Sequence, residues 1–191
     1  MKSADDISKI KATVLYIINK TGEIDFIKLF KLMYFAQQQY LVKYGRPIVK
    51  ETFCALTYGP VPSFTYKALQ CALGTQQSTN DIDVFISNMN VTNKEGINYI
   101  SSTESPDCDE LAVAEQQCLD AVIDKFAILD SKKLSILSHK DIAWKDAAVR
   151  SKEDPEKDRI SLIDIAKSGG ADVNTINYIR EMQLLHKLYQ A

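Results

Sequence analysis

His139 is the residue of this sequence whose type and position could best support catalysis. It lies near a predicted helix start, five residues before Trp144, the only tryptophan. An imidazole titrates near neutral pH, so it could act as a general base or activate a thiol. A Cys–His pair would need Cys54, Cys71 or Cys118 beside it in space, and nothing in the sequence argues for that arrangement. We favour the interpretation that His139 positions the turn before the Trp144 helix.

The cysteines and glycines show no spacing typical of a metal or phosphate site. The cysteines are Cys54, Cys71, Cys108 and Cys118. They form no C-x-x-C pair and have no histidine nearby in sequence, so they fit no common zinc finger. Gly169-Gly170 lacks the Gly-Lys-Ser/Thr ending of a phosphate-binding loop. We therefore expect no metal, no cofactor and free thiols in a reducing, cytoplasmic compartment.

The composition predicts one globular domain with no overall attraction to nucleic acid. The chain has 191 residues, 46% of them hydrophobic, and a formal net charge of −2. Residues 81–124 hold ten acidic residues against one lysine. This segment could meet a basic partner, although we favour a solvated acidic face. We expect neither a signal peptide nor a membrane-spanning segment, because no apolar run is long enough.

A nucleic-acid site would depend on the basic residues near the N-terminus. Residues 1–60 hold nine Lys/Arg against five Asp/Glu. The relevant ones are Lys28, Lys31, Lys43, Arg46 and Lys50. They show no recognition-helix pattern and no clear aromatic platform, so a phage or regulatory DNA-binding protein is only an alternative.

Residues 23–44 are predicted to form a long helix around which the chain folds. Its apolar face is wider than a surface helix needs, so we expect packing on several sides. Gly45 and Pro47 end it. Residues 52–58 and residues 97–101 have strand-like patterns and are predicted to pair with each other. The predicted fold is mainly α, a single helical domain around a central buried helix with one small antiparallel β pair.

The second half of the chain is predicted to be helical. Ser138 matches the cap of a capping box that Asp141 completes, and the helix that follows presents Trp144 as a core anchor. The charged segment 151–159 contains Pro155 and marks the predicted boundary. Residues 1–150 would then form the domain, and residues 151–191 a helical extension packed on it.

The outer side of the central helix is a candidate partner surface. Lys28 and Lys31 lie there among Leu32, Phe35 and Val42, and apolar residues mixed with lysines are typical of interfaces. We favour the alternative that a second helix of the same chain covers them, because apolar helix faces are usually core.

The corner at residues 58–61 is a second candidate surface. Two prolines and a glycine in four residues, 59–62, make it stiff. Tyr34, Tyr58 and Tyr66 could surround it, and tyrosine is favoured at interfaces. Packing of a hairpin against the helices explains the same residues equally well.

The order of several motifs resembles a known family. The motifs are Leu29-x-Lys31-Leu32-x-Tyr34-Phe35-Ala36, Tyr44-Gly45-x-Pro47, Tyr58-Gly59-Pro60-Val61 with Tyr66 following, and Leu134-Ser135-x-x-Ser138-His139-x-x-x-Ala143-Trp144. Together they resemble the Panacea domain, also described as SocA-like or phage-associated, over roughly residues 5–150. Ala143 departs from the pattern, where a proline is expected.

The resemblance implies a function in protein binding. The family carries antitoxins of bacterial and phage toxin–antitoxin pairs, so the chain is expected to bind and neutralise a cognate toxin without catalysis. The residues we assign to partner binding are Lys28, Lys31, Tyr34, Phe35, Tyr58, Gly59, Pro60, Val61 and Tyr66. The structural motif comprises Ser138, His139, Asp141 and Trp144. A small hydrolase or nucleotide-modifying enzyme using His139 is the main alternative, and a homo-oligomer stays open.

Overall fold

The computed structural model describes residues 2–189, and within them the chain is mainly helical, as predicted. The helices are α1 (Ala4–Thr21), α2 (Phe26–Tyr44), α3 (Ser63–Ala72), α4 (Asn80–Ile86), α5 (Val113–Phe126), α6 (Ser131–Ser138), α7 (Ile142–Glu153), α8 (Leu162–Ser168) and α9 (Val173–Tyr189). The strands are β1 (Ile24–Asp25), β2 (Phe53–Leu56), β3 (Gly59–Pro62), β4 (Met89–Lys94), β5 (Ile97–Ser102) and β6 (Arg159–Ile160). They form two antiparallel sheets, with strand orders β1-β5-β4 and β3-β2-β6.

α2 is the central buried helix that the sequence predicts. It packs against α1, α5, α6 and α8 and against strand β3. Asp25 caps its first turn by accepting the Lys28 amide, and Gly45 ends it in the left-handed conformation at φ 64°. The helix begins three residues later than predicted, because Ile24 and Asp25 pair with β5.

The predicted pairing of residues 52–58 with residues 97–101 is wrong. β2 instead pairs with β3 and β6, and β5 pairs with β4 and β1. Each strand forms a hairpin with the segment next to it in sequence, because closing a short loop costs less chain entropy than joining distant segments. Pro60 and Pro62 hid the strand character of β3, which is tolerated because β3 lies at a sheet edge.

The buried carboxylate of Glu51 fixes the start of α3. It accepts the Phe64 amide at 2.9 Å, the Thr65 amide at 3.3 Å and the Thr65 hydroxyl at 3.1 Å. Pro62 precedes the helix and has no side-chain cap to offer. Glu51 therefore sets the direction in which the chain leaves β3.

Residues 151–189 pack against the helices that precede them. β6 pairs with β2, α8 packs on α2 and α7, and α9 packs on α8 and α2. Helix α8 begins at Leu162, because Ile160 belongs to β6. The domain boundary at residue 150 stays a prediction, and the outer bounds 1 and 191 lie outside the described residues.

Candidate partner-binding site

The β2–β3 hairpin places a tight corner, residues 57–61, against α2 and α6. Gly59 lies at its centre with φ 104°, a conformation that residues with a side chain rarely adopt. A Cβ at this position would overlap Ser138 Oγ and lie 2.7 Å from Lys31 Cε. The corner is therefore pressed so closely onto both helices that only glycine fits.

Lys31 lies beneath the corner with a fully buried side chain. Its Nζ donates a hydrogen bond to the Pro60 carbonyl at 2.9 Å, and within residues 2–189 it forms no ion pair. Burial lowers the pKa of the Lys31 ammonium to about 7, although the negative charge of Asp25 opposes the shift. The predicted outward position of Lys31 is wrong, because its apolar stem packs inward and its ammonium bonds the backbone.

Helices α6 and α7 hold the corner from the other side. Ser135 Oγ donates to the Tyr58 carbonyl at 3.0 Å, and Trp144 Nε1 donates to the Leu56 carbonyl at 3.2 Å. The ring of His139 stacks on Trp144, with centroids 4.2 Å apart and 17° between the planes. These contacts fix the backbone of the corner and leave the Tyr58 side chain 62% exposed.

His139 is placed as a packing residue. Burial lowers its pKa, the neighbouring charge of Lys31 lowers it further, and the backbone of Thr57 acts in the opposite direction. The imidazole is therefore mainly neutral at about pH 7. Its Nε2 is buried and has no hydrogen-bond partner. The ring thus packs between Trp144 and the backbone of the corner.

The cysteines do not form a Cys–His pair. Cys71 donates to the Gln77 carbonyl and Cys118 to the Ala36 carbonyl. Burial raises the pKa of the Cys54 thiol to about 12 and that of Cys118 to about 11, so these thiols stay protonated and are weak nucleophiles. Within residues 2–189, no group of acidic, histidine and cysteine side chains could hold a metal ion.

Asp141 joins three helices at one carboxylate. Its Oδ1 caps α7 by accepting the amides of Ala143 at 2.8 Å and Trp144 at 3.4 Å. Its Oδ2 accepts Gln38 Nε2 from α2 at 2.6 Å and Ser168 Oγ from α8 at 3.2 Å. The position of α7, and with it that of Trp144, is therefore tied to the central helix.

The predicted capping role of Ser138 is wrong. Ser138 is the last residue of α6, and its hydroxyl donates to the Ser135 carbonyl at 2.9 Å. Asp141 takes the cap because it directly precedes α7 and its carboxylate accepts two amides. Trp144, expected as a core anchor, is half-buried at the edge of the core, where it covers the corner.

The structure divides the residues predicted to bind a partner. The buried ones are Lys31, Tyr34, Phe35, Gly59, Pro60 and Val61; Lys28 and Tyr66 are half-buried, and Tyr58 is exposed. Tyr34 packs on Phe53 and Tyr66 on Phe30, so the three tyrosines do not present their side chains together. The buried residues shape the corner, and Tyr58 is the tyrosine that faces solvent there.

Two exposed apolar residues that the sequence did not single out adjoin the contacts that hold this corner. They are Leu56, which is 36% exposed, and Ile136, which is 52% exposed. The sequence could have indicated that Ile136 is exposed. It lies between Ser135 and Ser138 on a short helix whose other side is buried. We name the surface formed by Leu56, Tyr58, Ile136, His139 and Trp144 the corner patch.

A comparison with protein families finds one family model that covers the motifs around the corner. A sequence model described as "Antitoxin SocA-like, Panacea domain" matches residues 29–145, more than half of the chain. The chain belongs to the SocA-like antitoxin family of Panacea domains. Every residue of the corner patch lies inside the matched region, together with Lys31 and Asp141. No curated protein and no solved structure matches the chain.

Membership relates this Panacea domain to toxin–antitoxin systems. Its matched region begins in the first turn of α2 and ends near the start of α7, so it contains the hairpin and the helices that fix it. No helix within residues 2–189 is long and apolar enough to cross a membrane.

Trp144→Phe is expected to lower the free energy of unfolding of this Panacea domain by about 1 kcal/mol, because the Leu56 carbonyl loses its hydrogen bond while the apolar ring stays. Urea unfolding followed by far-ultraviolet circular dichroism measures the change. Lys145→Gln, at the exposed neighbouring position, should leave the value unchanged. Equal stability of the Trp144 variant and the wild type would show that the indole bond contributes nothing.

Proposed function

We propose that this chain is an antitoxin that binds and neutralises a cognate toxin protein without catalysis. The observation that carries the proposal is the convergence of the family motifs on one corner. Lys31, Ser135 and Trp144 direct their polar groups at backbone carbonyls of residues 56–60. Side chains used in this way build a rigid surface, and a rigid surface loses less entropy on binding.

The corner patch is the proposed contact surface. Tyr58 has the properties of an interface anchor, since its ring is large, its hydroxyl is polar and its backbone is already fixed. Leu56 and Ile136 add apolar area beside it. The toxin would be neutralised by occlusion, with its working surface covered in a complex that forms in the cytoplasm.

The catalytic alternative at His139 has less support. Its ring stacks on Trp144, and within residues 2–189 no carboxylate, thiol or hydroxyl is hydrogen-bonded to it. A general base or nucleophilic pair needs such a neighbour within hydrogen-bond reach.

The DNA-binding alternative also loses much of its basic surface. Lys31 is buried, Arg46 donates to the Tyr178 hydroxyl at 2.8 Å, and Lys50 pairs with Asp6 at 3.0 Å. The basic residues first considered for phosphate contacts therefore do not form one exposed, unpaired positive surface that could bind the DNA backbone.

A toxicity rescue tests the proposed function. The protein encoded by the gene beside that of this chain is expressed in a naive bacterial host, with and without the chain, and colonies are counted. The neighbour is expected to kill alone, and the chain is expected to restore growth. A harmless neighbour, or one that kills regardless of the chain, would contradict the proposal.

Tyr58→Ala is expected to lower the rescue by at least about tenfold, because interface aromatics contribute strongly to binding. The free energy of unfolding should change by less than about 0.5 kcal/mol, since the side chain is exposed. Tyr189→Ala is the matched control, because Tyr189 is 88% exposed and lies outside the matched region. Full rescue by the Tyr58 variant would remove the corner from the interface.

A further inference from the structure

The segment that contributes Ile136, His139 and Trp144 to the corner patch also carries exposed lysines. Lys132, Lys140 and Lys145 are exposed, and none of them forms an ion pair within residues 2–189. Lys132 lies one helical turn before Ile136, so the two share a face of α6. Lys140 and Lys145 directly follow His139 and Trp144 in sequence. We name these three residues the lysine rim.

The groups beneath the patch add no negative charge. Lys31 bonds the Pro60 carbonyl, and the His139 ring stacks on Trp144. Asp141, the acidic residue between the two rim segments, is engaged by Gln38 and by the first turn of α7.

The remaining acidic residues of these helices do not cancel the charge. Asp130 pairs with Lys133 at 3.4 Å at the start of α6, and the exposed acidic residues of α7 are Asp146 and Glu153. Residues 130–153 hold six Lys/Arg against four Asp/Glu. The segment that carries most of the corner patch therefore has a net positive charge, although the whole chain has a net charge of −2.

We infer that the corner patch and its lysine rim dock a protein surface with an apolar centre and an acidic border. The inference rests on the proposed function and adds the chemistry of the toxin face. Charge complementarity at the rim increases the association rate and suppresses wrong partners, while apolar contacts at the centre supply affinity. The acidic segment 81–124 is then not the contact surface.

A protein partner fits this surface better than single-stranded nucleic acid. Binding of bases needs exposed aromatic faces on which they can stack. One face of Trp144 is covered by His139, and Leu56 and Ile136 are aliphatic. Tyr58, at 62% exposed, is the most exposed ring of the patch, and a single ring makes a poor stacking platform.

A triple charge reversal, Lys132→Glu with Lys140→Glu and Lys145→Glu, tests the inference. The probe is the purified product of the neighbouring gene, and its dissociation constant is measured at low and high salt by calorimetry. The variant is expected to bind at least about tenfold more weakly at low salt, and wild-type binding should weaken as salt increases. Circular dichroism and urea unfolding check that the variant is folded.

The matched control reverses three exposed lysines elsewhere, Lys67, Lys167 and Lys187. It should bind as the wild type does, because these lysines lie outside the rim. Replacing acidic residues of the probe with lysine should restore binding of the rim variant, which a merely structural defect would not allow.

The outcomes separate the two proposals. If the rim variant binds with wild-type affinity and still rescues, the inference of a toxin surface with an acidic border is overturned, and the proposed function is not. Failure of the wild-type chain to bind and to rescue overturns the proposed function and this inference with it. Binding of a single-stranded RNA oligonucleotide that the rim variant loses, without any rim effect on the protein probe, assigns the surface to nucleic acid and also overturns the inference.

Discussion

Gly59→Ala is expected to lower the free energy of unfolding by about 2–6 kcal/mol and to abolish toxin rescue. The backbone at φ 104° would hold a residue with a side chain in a strained conformation, which costs about 1–3 kcal/mol. The added methyl group would also collide with Ser138 Oγ and Lys31 Cε, and overpacking of this kind costs about 1–3 kcal/mol more. Moving the hairpin outward would break the hydrogen bonds that fix Tyr58.

Gly22→Ala is the matched control for the Gly59 variant. Gly22 also has a positive φ, 74°, but a Cβ there would meet nothing within 4 Å. Its alanine variant should therefore lose only the free energy of unfolding that backbone strain costs, about 1–3 kcal/mol, and should still rescue growth. Urea unfolding measures both variants. Equal losses at the two glycines would show that the corner has room to relax and that its tight fit is not what orients Tyr58.

Sequence patterns predicted the helical elements well because their signals are local. The apolar face of α2 and its stop at Gly45 each depend on neighbouring residues. Strand pairing was predicted wrongly because alternation identifies a strand and does not identify its partner. The segment 159–160 shows this best, since the last residue of the charged segment and the isoleucine after it complete the sheet beside β2.

The sequence identified many residues of the candidate site, but it did not predict which of them are buried or which groups they contact. Helical periodicity placed Lys31 outside, since a lysine is almost always exposed unless it has a partner. The partner is the Pro60 carbonyl, 29 residues away in sequence, and no pattern in the sequence pairs a side chain with a backbone group. The same limit applies to Ser135 and Trp144, which also bond carbonyls of the hairpin.

Lys31→Met is expected to change how the stability of this domain depends on pH. In the folded chain the pKa of Lys31 is about 7, whereas the ordinary value of 10.5 applies when the chain is unfolded. Between these values the unfolded chain binds a proton that the folded chain does not, so this lysine makes wild-type stability rise with pH from about 7 to about 10.5. The full contribution over that range is roughly 5 kcal/mol. Methionine removes it but leaves the Pro60 carbonyl unsatisfied, at a cost of about 1–3 kcal/mol.

The two effects together predict a crossover for Lys31→Met. At about pH 7 the variant should be more stable than the wild type by a few kcal/mol, because no proton is excluded on folding. Above about pH 10.5 it should be less stable, because only the lost hydrogen bond remains. Urea unfolding at several pH values measures the difference, in which the titration of tyrosines and cysteines common to both proteins cancels. Lys67→Met, at an exposed position, should show no such dependence. Parallel curves for Lys31→Met and the wild type would mean that Lys31 keeps its proton in the folded state, and that the corner is built on a charged lysine.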